Sequence, residues 1–264
     1  MRFLTQTELD GYAREGVAFP FRVLSAAETE QYRAACDELE AKLGGKPRTI
    51  QVRQMHLHFP WAHVLATHPA ILHAVGDILG PDLLIWATEL FAKHPHDATV
   101  SVRWHRDRPY LGFTGGRTVT AWVALSASTL DNGCMRVLPR SADQSNGPSS
   151  RVRSLGAAEE SALVDVALRP GEMSLHDPDV LHGSGPNEGG EKRVGFVIRF
   201  VTPDAQPLNG RPPVVLASGK DQYHHFGSVP PPEETDPDRA RAGMRESAER
   251  HLEVVLQNLR HQGR

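Results

Sequence analysis

Apolar side chains recur at three- and four-residue steps through the first eighty positions, give way to short alternating runs, and return to helical spacing near the C-terminal end. Thr5 with Glu8 and Ser25 with Glu28 fit the Ser/Thr-x-x-Glu box that satisfies free N–H groups at a helix start, so two N-terminal helices are predicted. In the second, Tyr32, Cys36, Leu39 and Leu43 form one apolar stripe, with Glu30, Arg33, Asp37 and Glu40 away from it. That stripe needs a surface to pack on. A third helix is predicted in HPAILHAVGDILG, where Ile71, Leu72, Val75, Ile78 and Leu79 repeat before Gly80-Pro81 ends it.

From about Asp82 the chain breaks into β-rich segments separated by Gly, Pro, Asn and Asp: DLLIWATELFAK, RTVTAWVALS, GCMRVLP, LVDVALRPGEMSLH and KRVGFVIRFVT. This pattern predicts a sandwich or barrel. Alternation puts Val119, Ala121, Val123 and Leu125 on one face of a strand, with Thr120, Trp122 and Ala124 on the other. In the last segment Val194, Phe196, Ile198 and Phe200 share a face, leaving Arg193, Gly195, Val197 and Arg199 together opposite. Two arginines on one face of an apolar strand require anionic partners.

Twenty-three Gly and 20 Pro punctuate the 264 residues, which favours many turns over long elements. A content of 39% hydrophobic and 23% charged residues excludes disorder for the bulk of the chain. The 29 basic and 32 acidic side chains leave a charge of −3, so no global field draws in nucleic acid or an anionic bilayer. No apolar run is long enough to span a membrane. Cys36 and Cys134 allow at most one bridge, and MRFLTQTELDGYAREG lacks the apolar centre of a signal peptide; a soluble protein in a reducing cytoplasm is expected. Residues 140–160 read as a surface insertion or lid. After Tyr223 a Pro/acidic linker leads into a helical pattern carrying Met244, Leu252, Val255 and Leu259, which either docks or frays and could join two copies. No internal repeat is present, so the chain reads as a single domain with a helical part at 1–80, a β core at 81–202 and an extension at 203–264.

Trp104-His105-Arg106-Asp107 carries the most informative local chemistry, because residues two apart on a strand point the same way and can offer an imidazole and a carboxylate to one ion. A further His from a distant strand would complete a two-His, one-carboxylate triad that holds Fe(II) on one side and leaves positions open opposite. Alone, one His-x-Asp is close to a chance event in a chain with 14 His. The segment Leu181-His182-Gly183-Ser184-Gly185-Pro186-Asn187 places a second candidate at a strand end, eleven residues before Arg193. It reads either as an imidazole and a guanidinium sharing one cavity or as a hairpin turn with a solvated arginine. In the first case the planar guanidinium suits a carboxylate through two parallel hydrogen bonds.

Together, WHRD at Trp104 to Asp107, VTAWVAL at Val119 to Leu125, DNGCMRVLPRS at Asp131 to Ser141, and LHGSGPN with Arg193 resemble the phytanoyl-CoA dioxygenase family, which includes the ectoine hydroxylases, within the Fe(II)/2-oxoglutarate oxygenases. The likeness is clear from about residue 80 to 202. It implies an α+β protein, mainly β with flanking helices, around a double-stranded β-helix (jelly-roll, cupin-like) core. It implies His105, Asp107 and His182 as iron ligands, Arg193 as partner of the distal carboxylate of 2-oxoglutarate, and Ser184 and Trp122 as lining of the cosubstrate pocket. Fe(II), 2-oxoglutarate and O2 are the implied cofactors and cosubstrates, with succinate and CO2 released as a small molecule is hydroxylated. Halogenating relatives lack the ligand carboxylate, so Asp107 favours hydroxylation or another oxidation without halide.

His176 and Asp177 are near decoys, without the eleven-residue spacing to the arginine. Arg199, Glu89 and Tyr110 are substrate-side candidates; for Arg199 an internal carboxylate partner is favoured over an anionic substrate, and Glu89 could as readily pair with Lys93. Arg106 and Arg108 flank the ligands, and the cluster Tyr223-His224-His225-Phe226 with His56 and His58 could reach the entrance or sit in core and surface positions. Two other functions fit the same residues: a Zn or Mn hydrolase or isomerase, and a protein that senses iron or 2-oxoglutarate. A natural-product, amino-acid-like or phosphonate substrate is expected over an acyl-CoA, because no basic cluster for a CoA phosphate is evident.

Overall fold

The computed structural model describes residues 2–47, 52–97, 99–141, 154–233 and 236–262. Most of the expected insertion at 140–160 lies outside these residues, as does the side chain of Leu259. Helices α1 (Gln6–Glu15) and α2 (Ala26–Lys42) begin at the two boxes: Glu8 N–H donates to Thr5 Oγ1 at 3.3 Å and Glu28 N–H to Ser25 Oγ at 3.2 Å, each returned by the glutamate. Caps of this kind contribute about 1 kcal/mol each. Between them runs β1 (Val17–Arg22), which the sequence reading missed. Its Pro20 cannot donate to a ladder, and β1 accordingly lies at the sheet edge with a register break between Ala18 and Phe21. Helix α3 (Pro60–Ala66) was also missed, being too short to show a period; α4 (Pro69–Leu79) stops at Gly80, whose φ is 100°.

The strands that follow are β2 (Leu83–Lys93), β3 (Val102–His105), β4 (Phe113–Thr114), β5 (Thr118–Ala124) and β6 (Met135–Leu138). After the short α5 (Ala157–Ser161) come β7 (Val164–Val166), β8 (Glu172–His176), β9 (Leu181–Ser184), β10 (Arg193–Val201), β11 (Gln206–Pro207), β12 (Pro213–Ser218), β13 (Gly227–Ser228) and α6 (Pro237–Gln262). A seven-stranded sheet in the order β1-β8-β5-β10-β2-β12-β13 faces a four-stranded sheet, β3-β9-β6-β7, with β4 and β11 as a separate ribbon. This is the cupin-like jelly roll. Three strands of the large sheet, β1, β12 and β13, come from outside residues 81–202.

The two faces of the central strands have different jobs. Val119, Ala121 and Val123 of β5 and Val194, Phe196, Ile198 and Phe200 of β10 are buried against the helices, with Tyr32, Cys36, Leu39, Ile71 and Val75 in the same core. The opposite face meets the small sheet, where Trp122, Ala124 and Val197 pack with Met135, Val137 and Val180. Covered on both sides, β5 is buried throughout. Helix α6 docks: Ala240 and Met244 enter the main core, and the His251 ring lies 4.6 Å from that of Trp86. Both cysteines are free and buried. Glu40, expected on a solvent face, is buried and bonded to Lys192 at 2.7 Å. No helix of the described residues is long and apolar enough to cross a membrane.

Candidate functional site

The antiparallel register of β3 and β9 sets His105 directly opposite His182, with ring centroids 4.2 Å apart. Each ring is anchored by the carbonyl two residues before it: His105 Nδ1 lies 2.8 Å from Arg103 O, and His182 Nδ1 lies 3.0 Å from Val180 O. A carbonyl only accepts, so both Nδ1 atoms carry the proton and both Nε2 lone pairs are left for a shared ligand. Asp107 joins them by a route that differs from the strand alternation expected. Strand β3 ends at His105, and the chain turns where the N–H groups of Asp107 and Arg108 both donate to Pro178 O, at 2.8 and 3.0 Å. The carboxylate enters from that turn, Oδ1 being 3.6 Å from His105 Nε2. One donor atom from each of His105, Asp107 and His182 lies within 4.8 Å of the others, a grouping that no other His, Cys, Asp or Glu set among the described residues achieves.

Asp107 is buried and surrounded by donors. Arg199 grips it with Nε and Nη2, each at 3.4 Å, and Thr120 donates from Oγ1 at 3.2 Å. Burial opposes ionisation of this carboxyl, but the Arg199 guanidinium and the nearby imidazoles hold it well below the usual carboxylate range. Burial and the neighbouring His105 push His182 well down, so it is neutral. For His105, burial works against protonation, but Asp107 outweighs it and raises the group. An ionised carboxylate beside two imidazoles with free Nε2 atoms suits a borderline divalent metal such as Fe(II). Arg199 is itself held on the far side by Glu89 at 3.1 Å, and Glu89 by Arg53 at 2.8 Å.

A cavity opens beside the triad, with about 440 Å³ of empty space that is in part open solvent. Arg193 and Ser184 line it with Trp122, Thr120, His176 and Arg199, and Phe91, Val102, Met135 and Val197 supply apolar wall. Arg193 is 2% exposed, its guanidinium carbon 5.4 Å from the Trp122 ring centroid. Its Nη1 donates to Gly133 O, and its Nε has no protein partner. Burial lowers its pKa to about 10. No carboxylate among the described residues forms an ion pair with it. Burying a guanidinium without a paired anion is costly.

Gly195 lies between Arg193 and Val197 on β10, opposite Ala124 of β5, and a Cβ there would overlap Trp122 Cζ2 and Cε2. Gly195→Ala is expected to destabilise the protein by about 1–3 kcal/mol and to displace the indole from Arg193. The urea midpoint and tryptophan emission measure both effects.

Several sequence candidates have other engagements. Glu89, taken as substrate-side or as a partner of Lys93, is bonded to Arg53 and Arg199 instead and does not line the cavity. Arg199 lines it but is committed to Asp107 and Glu89. Tyr110 is half-buried beside His105, ring centroids 6.2 Å apart. His176 does enter the site, with Nε2 3.7 Å from Asp107 Oδ2, yet stands outside the three-donor group. His56 bonds Thr88, His58 bonds Ser247, and Phe226 is core; none of the Tyr223–Phe226 cluster lines the cavity. Thr120 was not singled out, although alternation with Trp122 already placed it on the correct face.

Residues 12–195 match the family model described as phytanoyl-CoA dioxygenase (PhyH). The chain belongs to the phytanoyl-CoA dioxygenase family. Membership and the site geometry make it a non-haem, 2-oxoglutarate-dependent oxygenase. A probable alpha-ketoglutarate-dependent hypophosphite dioxygenase from Stutzerimonas stutzeri is 27% identical over 201 residues, 70% of this chain and 67% of that protein. The non-heme monooxygenase ThoJ in its apo form is 31% identical with a TM-score of 0.83, covering 96% of this chain and 99% of ThoJ; its nickel complex is similarly close. The epimerase SnoN, in complex with Fe3+, alpha-ketoglutarate and nogalamycin RO, is 25% identical with a TM-score of 0.68, covering 77% of this chain and 86% of SnoN.

Proposed function

We propose that the chain is a single oxygenase domain that hydroxylates an unactivated C–H bond of a small molecule, with His105, Asp107 and His182 as Fe(II) ligands and Arg193 as the anchor of 2-oxoglutarate. The observation that carries this reading is the juxtaposition, in one cavity, of the three inward donors and a buried guanidinium that no carboxylate among the described residues pairs with. When bound, Fe(II) and 2-oxoglutarate supply the activation of O2 that cleaves the substrate C–H bond, releasing succinate and CO2.

The protein contributes placement and a dry wall. His105 and His182 present Nε2 because carbonyls at residues 103 and 180 hold their Nδ1 protons. Arg199 and Thr120 keep the Asp107 carboxylate ionised and restrict its rotation. Arg193 and Ser184 bind the distal carboxylate, and Trp122 supports the guanidinium from beneath. Phe91, Met135 and Val197 exclude water from the region between them. An intact Asp107 favours return of a hydroxyl over transfer of a halide.

The test is succinate formation by purified protein with Fe(II), ascorbate, O2 and 2-oxoglutarate across a panel of natural-product intermediates, amino acids, phosphonates and hypophosphite, with product identified by mass. Substrate-dependent succinate with a mass gain of one oxygen is expected. Protein that binds neither iron nor 2-oxoglutarate would sink the reading, and a product unchanged in mass would move it to the epimerase chemistry for which SnoN is named.

A further inference from the structure

We propose that Lys93 is a positioning residue of the cosubstrate pocket: standing across the strand pair from Arg193, it donates to Ser184 Oγ and so turns the Ser184 hydroxyl proton onto the carboxylate that Arg193 holds. This rests on the assignment of the cavity as the 2-oxoglutarate pocket and names a further part of it.

The β10–β2 register pairs Arg193 directly with Lys93, two positive charges opposite each other on neighbouring strands. Like charges so placed repel. Both side chains are buried, Arg193 at 2% and Lys93 at 1% exposure, and no carboxylate among the described residues forms an ion pair with either. Natural interiors rarely keep lysine without an anion. The two cations therefore repel each other, and a bound carboxylate relieves the repulsion.

The hydrogen bonds show how the second cation acts. Lys93 Nζ donates to Ser184 Oγ at 2.6 Å, to Gly133 O at 3.1 Å and to Gly185 O, which uses all three of its protons. An ammonium cannot accept, so Ser184 Oγ must be the acceptor and its own proton is free for another group. Among the described residues Ser184 has no bond in which it donates, and the side chain lines the same cavity as Arg193. Arg193 Nε–H is likewise without a partner. Two donors thus await the two oxygens of one carboxylate. The Gly133 carbonyl, shared by Lys93 and Arg193, ties the two cations to one loop.

Burial, then the charge of Arg193, pushes Lys93 down to about 7, while the Cys134 thiol on the loop before β6 acts weakly in the other direction. Once neutral, the amine has a lone pair and can accept the Ser184 proton, turning the hydroxyl away. Carboxylate binding should therefore take up a proton and weaken as pH rises through this range.

Calorimetry decides the matter, with 2-oxoglutarate titrated into anaerobic Fe(II)-loaded protein and glutarate into metal-free protein, at pH 6.5 and 8.5 and in buffers of different ionisation heat. Wild type should bind both ligands about tenfold more weakly at the higher pH, with proton uptake. Lys93→Met should weaken binding about 10- to 100-fold at pH 6.5 and lose the pH dependence. Ser184→Ala should show a similar loss, and the double variant no more than either single one, because both remove the same bond. Additive losses, or wild-type affinity and pH profile in Lys93→Met, would overturn the role of Lys93 while leaving the pocket assignment standing. Wild type that binds 2-oxoglutarate without proton uptake overturns it as well, whether or not the variant folds. A wild type that binds no 2-oxoglutarate at either pH overturns the pocket assignment and this role together.

Discussion

Asp107→Ala is expected to abolish turnover and to reduce Fe(II) retention by more than the roughly 10- to 100-fold that loss of a supporting outer partner costs a metal site. The carboxylate is the only anion in the three-donor group, so its removal leaves two neutral imidazoles facing a dication. A second effect accompanies the first. Arg199, clamped between Asp107 and Glu89, loses one of its two anions in a buried setting, which destabilises the fold by about 3–5 kcal/mol. Asp107→Asn separates the two consequences, because its amide keeps the shape and one oxygen for Arg199 while losing the charge. Metal content after dialysis, measured beside the urea midpoint, should show Asp107→Asn nearly as depleted in iron as Asp107→Ala but less destabilised. Wild-type iron retention in both variants would remove Asp107 from the ligand set.

The other large effect concerns Arg193. Replacing it with Ala should weaken 2-oxoglutarate by about 3–5 kcal/mol, the range for truncating one partner of a buried charge pair. Lysine should not rescue it, because the planar fork that meets a carboxylate and lies over Trp122 has no equivalent in an ammonium. Stability should move the opposite way. The ligand-free protein carries two adjacent buried cations, so Arg193→Met relieves their repulsion and raises the ligand-free melting temperature while erasing the further rise that 2-oxoglutarate produces in wild type. Binding to the anaerobic iron protein, followed by its visible absorbance, measures the first effect, and thermal unfolding measures the second. An Arg193→Ala protein with unchanged 2-oxoglutarate affinity would show that another cation anchors the cosubstrate.

Much of this was legible locally. The capping boxes start α1 and α2 at the expected residues, and period-two alternation in β5 and β10 sorts helix-facing residues from cavity-facing ones. What escaped is equally specific. Strand β1 contains a proline and earns its place only from its neighbour β8, and α3 is seven residues long. Glu40 looked solvated because its partner, Lys192, lies about 150 residues away, and nothing in the local pattern shows that pairing.

His-x-Asp, the eleven-residue interval from His182 to Arg193, and the face shared by Arg193, Val197 and Arg199 are properties of the covalent chain, set by side-chain chemistry and by the two-residue period of a strand. Which cation faces an anion and which does not was decided elsewhere. Strand register puts His105 opposite His182 and Lys93 opposite Arg193, and a turn anchored on Pro178 swings Asp107 inward after its strand has ended. Charges interact through space over a few ångströms whatever their separation along the chain. Packing of the two sheets therefore gave Arg199 two carboxylates and, among the described residues, left Arg193 and Lys93 with none.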